Sequence, residues 1–98
     1  GENMRLSATQ KDVLYILFSI EARGRFDPVP GMKLLGMLNL TRSSEIHDTN
    51  FRTSCHTLVA NGLLSKYRSS SLMLAFTLTA DGREKAKDIY QTRAEATS

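Results

Sequence analysis

The stretch Phe51-Arg52-Thr53-Ser54-Cys55-His56-Thr57-Leu58-Val59-Ala60-Asn61-Gly62-Leu63-Leu64 changes its periodicity partway along. Phe51, Cys55, Leu58 and Val59 recur at helical spacing, and Asn61-Gly62 ends the run in the manner of a left-handed helix cap. Beyond the cap the pattern is that of strands. Leu63–Tyr67 and Met73–Leu78 are short apolar or β-favouring segments separated by Arg68, Ser69, Ser70, Ser71 and Leu72, which predicts a hairpin with a polar tip. Thr79 is placed to cap a last helix that runs to about Ala94, with Ala86, Ile89 and Tyr90 on one side and Arg83, Glu84, Lys85, Lys87 and Asp88 elsewhere.

Upstream, the helix containing Phe51 takes Asp48 as its N-cap candidate. Leu40–His47 weakens into Thr41, Arg42, Ser43, Ser44 and Glu45, a turn or irregular extension. Gly31–Asn39 is a short apolar helix carrying Met32, Leu34, Leu35, Met37 and Leu38, with Pro30 suited to its start. Arg23–Pro30 is a loop, since Gly24, Asp27, Pro28 and Pro30 all interrupt regular structure. The first helix runs from about Ala8 to Arg23, opened by the capping-box spacing of Ser7 and Gln10 and stopped by Gly24. Its apolar residues Val13, Leu14, Ile16, Leu17, Phe18 and Ile20 cover more than one stripe, so part of that face is expected in the core and part against another subunit. The whole predicts a mostly helical α+β fold: three helices, a two-stranded β wing and a C-terminal helix.

Composition narrows the function. At 98 residues the chain has the length of one small domain, expected over residues 4–98, with Gly1, Glu2 and Asn3 ahead of Met4 taken as a cloning remnant. Hydrophobic content of 41% and charged content of 23%, with two prolines, argue for a folded chain. The longest apolar run, Val13–Phe18, is far short of the ~20 residues that span a bilayer, and the single cysteine agrees with a reducing compartment, so a cytoplasmic protein is expected. A net charge of +3 is mild, but Arg42, Arg52, Lys66 and Arg68 concentrate between residues 41 and 68, with His47 and His56 among them.

No catalytic constellation stands out. The serines form no Gly-x-Ser-x-Gly elbow, and there is no glycine-rich phosphate loop followed by lysine. Cys55 and His56 are adjacent and point about 100° apart on a helix, which does not suit a shared metal, and Cys55 lies on the apolar stripe as a small buried hydrophobe. Met32, Met37 and Met73 are expected to fill the core. No enzyme activity, metal or cofactor is expected, and no convergent polar set defines an effector pocket.

Phe51, Cys55, Leu58, then Asn61-Gly62-Leu63-Leu64, then Phe76-Thr77-Leu78-Thr79-Ala80-Asp81-Gly82-Arg83 resemble winged-helix transcriptional regulators of the MarR and PadR type. The resemblance covers roughly Ser7 to Tyr90, with its sharpest motifs between Phe51 and Arg83. It implies that the helix from about Asp48 to Asn61 is a recognition helix that enters the major groove of double-stranded DNA. Thr49, Asn50, Arg52, Thr53 and His56 would lie on or near the groove side, where arginine matches guanine and asparagine adenine. Arg68, Ser69, Ser70 and Ser71 at the wing tip would meet phosphates, with Lys66 on the wing and Arg42 and Ser43 before the helix completing the set. The interval from Leu40 to Gly62 is several residues longer than in the resembled families, so either the turn is extended or the third helix begins near Ser43. The expected function is sequence-specific DNA binding by a small homodimeric repressor. The alternative is a winged helix used for protein contacts in a replication, partition or transcription assembly.

Overall fold

The computed structural model describes residues 6–41, 46–68 and 73–97. Along the chain they form α1 (Ala8–Ala22), β1 (Val29–Pro30), α2 (Gly31–Thr41), α3 (Asp48–Ala60), β2 (Leu64–Arg68), β3 (Leu74–Leu78) and α4 (Ala80–Thr97).

Local signals account for most of these boundaries. Ser7 Oγ accepts from the Gln10 backbone N–H at 3.2 Å and Gln10 Oε1 accepts from the Ser7 N–H at 2.8 Å, so the capping box opens α1 with two otherwise unsatisfied donors paired. The helix closes on a Schellman arrangement. The Gly24 N–H donates to the Glu21 carbonyl and the Arg25 N–H to the Ile20 carbonyl, with Gly24 at φ +87°. The same device closes α3, where the Gly62 N–H donates to Val59 O at 3.0 Å and the Leu63 N–H to Leu58 O at 2.9 Å. Because Leu63 spends its donor on that cap, the strand begins one residue later than expected, at Leu64.

The expected two-stranded wing is a three-stranded antiparallel sheet in the order β1-β3-β2. Val29 pairs with Phe76 and Pro30 with Ala75 in a segment expected to be loop. Two residues beside Pro28 carry no period of their own, and only the presence of β3 makes them a strand. Pro30 is tolerated because β1 lies at an edge. The hairpin itself pairs Leu64 with Leu78 through Arg68 with Leu74.

The four described helices and one face of the sheet enclose the core. Val13, Leu14 and Leu17 of α1 meet Leu34 and Leu38 of α2, Phe51, Cys55 and Leu58 of α3, Phe76 and Leu78 of β3, and Ala86 of α4. The methionines depart from expectation: Met32 is 66% exposed and Met73 48%, with Met37 half-buried. Leucine and phenylalanine fill the centre, and Met32 and Met73 stand at its margin.

Long α4 lies along α1. Tyr90 stacks on Tyr15 with ring centroids 5.5 Å apart and meets Phe18 at 5.2 Å. Arg93 sits 4.6 Å above the Tyr15 ring and bonds Asp12 at 2.6 Å, while Arg83 pairs with both carboxylate oxygens of Glu21 at 2.6 and 3.0 Å. Much of the apolar width of α1 is therefore covered from within the chain: Ile16, Phe18 and Ile20 are partly buried. No described helix is long and apolar enough to cross a membrane.

Candidate nucleic-acid interface

Helix α3 owes its orientation to four buried positions. Phe51, Ser54, Cys55 and Leu58 point inward at the i, i+3, i+4, i+7 spacing of one helix face. The opposite face must then be solvent-facing, and it carries Thr49, Asn50, Arg52, Thr53, His56 and Thr57, all exposed. Five of these are the residues singled out from the sequence. Thr57 was missed, although its place four residues after Thr53 puts it on the same face.

The start of α3 differs from expectation. His47 is the N-cap, in extended conformation, and its carbonyl accepts the Phe51 N–H at 3.0 Å. Asp48 is the first helical residue. Its carboxylate turns along the helix toward Arg52, 3.3 Å from Nε, and makes no cap. An acid in the first turn still favours the helix through its dipole. The helix begins at Asp48 and not near Ser43. Asn39, near the end of α2, reaches the residue just before α3: its Oδ1 accepts the Ile46 N–H at 2.7 Å, and the buried Ile46 anchors the chain before it enters the helix. Arg42 and Ser43 lie outside the described residues.

On the wing, Lys66 and Arg68 are exposed and two residues apart on edge strand β2, hence on the same side of the sheet. Arg68 pairs with Leu74 at the far end of the ladder, next to the tip. Ser69, Ser70 and Ser71 lie outside the described residues. Tyr67, also exposed, is a wing residue that no sequence pattern marked.

Between the helix and the wing lies a cleft of about 380 Å3 with Met32, Leu35, Phe51, Met73 and Phe76 on its walls and Arg52 and His56 beside them. Its lining comes from α2, α3 and β3, segments that are distant in sequence, so no local pattern announces it. Cys55 also borders the cleft, yet it is 1% exposed and burial pushes its thiol up to about 12, which keeps it protonated and unreactive at neutral pH. Among the described residues no group of three or more His, Cys, Asp or Glu is placed to hold a metal ion.

No family model and no curated protein matches the sequence. Solved structures do. The chain is similar to the adhesin competence repressor AdcR of Streptococcus pyogenes, with a TM-score of 0.74 and 19% identity over 98% of this chain and 63% of that one. It is similar to MepR, a transcription regulator of the Staphylococcus aureus multidrug efflux pump MepA, with a TM-score of 0.73 and 14% identity over 98% of this chain and 64% of that one. It is also similar to RosR of H. salinarum, with a TM-score of 0.76 and 20% identity over 93% and 76%. The chain thus spans less than two thirds of the length of AdcR and of MepR. At these identities the likeness concerns the fold, and that fold is the winged helix of MarR-type regulators, the type that the motifs between Phe51 and Arg83 resemble.

Proposed function

We propose that residues 4–98 form one winged-helix domain that binds double-stranded DNA sequence-specifically, with α3 in the major groove and the wing on the backbone. The observation that carries this is the exposed polar face of α3, with Thr49, Asn50, Arg52, Thr53 and His56 together, followed in the chain by a hairpin bearing Lys66 and Arg68. These side chains suit base edges on the helix and phosphates on the wing. The protein acts without catalysis, as a cytoplasmic regulator that represses by occupying its site. The names of AdcR as a repressor and MepR as a transcription regulator support this choice over a purely protein-binding winged helix. Arg42 and Ser43 before α3, and Ser69, Ser70 and Ser71 at the wing tip, are assigned to phosphate contacts in the same proposal.

Selection from a random duplex library tests it. Enrichment of a motif is expected, and binding should weaken with salt at a log–log slope of about −0.9 per phosphate neutralised. Arg52→Ala should cost about 1–3 kcal/mol on the selected site and flatten preference at one base pair. Arg68→Ala should weaken all sequences alike and reduce the salt slope by about one. Exchanged phenotypes would mean that the wing reads sequence; no duplex binding at low salt would favour the protein-contact alternative.

A further inference from the structure

The carboxylate of Asp48 stands 3.3 Å from Nε of Arg52, one turn further along α3, and the two side chains are 54% and 70% exposed. An ion pair so open to solvent adds little to stability. A carboxylate on a face that meets polyphosphate also opposes binding by its charge. Neither stability nor raw affinity therefore accounts for it, and the geometry offers a different role. The guanidinium is a planar fork of five donors. Asp48 engages it at Nε, and no other described residue pairs with it. That leaves the edge bearing Nη1 and Nη2, the pair of donors that matches O6 and N7 of guanine. A long side chain held before binding loses less freedom on binding, and a neutralised charge is less drawn to phosphates.

We infer that Asp48 is a positioning residue: it holds Arg52 so that its Nη edge reads a guanine, and it lowers affinity for sequences that lack that base. The inference rests on α3 reading duplex DNA as proposed above. Five forms of the full chain test it: the unsubstituted protein, Asp48→Ala, Asp48→Asn, Asp48→Glu and Arg52→Ala. Each is selected on a random duplex library, titrated on a non-preferred duplex across a salt series, and melted. Asp48→Ala and Asp48→Asn should lose preference by about tenfold at the same base pair as Arg52→Ala. Both should also bind the non-preferred duplex a few-fold more tightly at low salt, as removal of a negative charge requires. Asp48→Glu, which keeps an acid N-terminal to arginine at i, i+4, should restore the preference. A fall in melting temperature with all sequences weakened equally would reduce Asp48 to a helix-start residue and overturn the inference. Preference kept in Asp48→Ala but lost in Arg52→Ala would overturn it while leaving α3 as the reading helix. Preference unchanged even in Arg52→Ala, or no duplex binding by the unsubstituted protein, would overturn the proposed function and this inference together.

Discussion

Gly82 in the first turn of α4 lies against the backbone of Leu63, so that a Cβ there would overlap the Leu63 carbonyl. That carbonyl already accepts the Thr79 N–H at 3.1 Å and is not free to retreat. Glycine to alanine within an ordinary helix gains about 1 kcal/mol. Here the sign should reverse: Gly82→Ala is expected to destabilise by about 1–3 kcal/mol, measured by the urea midpoint, because the overlap is with backbone and cannot be relieved by a rotamer. Cys55 supports a second prediction at this scale. Burial raises its thiol from 9.0 to about 12, so above pH 9 the unfolded chain releases a proton that the folded chain keeps. The unfolded state then binds fewer protons, and stability falls as pH rises from 9 toward 12, with the full contribution present below 9. The Cys55 share of that slope reaches at most about 1.4 kcal/mol per pH unit. Denaturation at a series of alkaline pH values should show a shallower decline in Cys55→Ala than in the unsubstituted protein; equal slopes would deny the burial effect.

The elements are held at their ends as much as along their lengths. Thr79 is the clearest case: its hydroxyl accepts the Gly82 N–H at 2.9 Å, capping α4, and donates to the Gly62 carbonyl at 2.6 Å, tying that cap to the end of α3. One side chain thereby fixes the wing's two exits, since β2 begins at Leu64 and β3 ends at Leu78. Thr79→Ala should cost about 1–2 kcal/mol in chemical denaturation, and Thr79→Ser, which keeps both hydrogen bonds, should recover most of it. If serine and alanine behave alike, the methyl group and not the hydroxyl carries the effect. Caps of this kind were readable in the residues themselves, because Ser7-x-x-Gln10, Asn61-Gly62 and Thr79 act over three or four positions. Strand β1 was not, because its two residues gain a partner only from β3, with Val29 opposite Phe76, 47 positions further along the chain.

For the molecule as a whole, we propose that the homodimer expected from the sequence is built partly on α1 and α4. The apolar excess of α1 proves smaller than its sequence suggests, since Tyr90 and Arg93 of α4 cover Tyr15 and Tyr90 also covers Phe18. What remains is a partly buried set, Ile16, Phe18 and Ile20, with exposed Tyr90 beside it. Sedimentation at about tens of micromolar is expected to show dimer, the range in which even a weak association is populated. Monomer alone at that concentration would confine α1 and α4 to an intrachain role. A regulator whose dimer spans two half-sites should further select a palindromic motif, so the symmetry of the enriched duplex checks the same proposal independently.

Residue order alone determined the helices, the hairpin, the inward stripe of Phe51, Cys55 and Leu58, and with it the outward set from Thr49 to His56. These follow from short-range rules: side chains three and four apart share a helix face, and alternation marks a strand. Lys66 and Arg68 were legible for the same reason. Tertiary structure decided the rest. It placed the start of α3 at Asp48, two residues after Ile46, whose N–H is held by Asn39 seven residues back in the chain. It left Met32 and Met73 at the margin of a cleft, because leucine and phenylalanine from five elements had already filled the centre. It also turned Asp48 from a cap into the partner of Arg52, a choice between two nearby donors that spacing permits equally and that only the positions of atoms in the folded chain resolve.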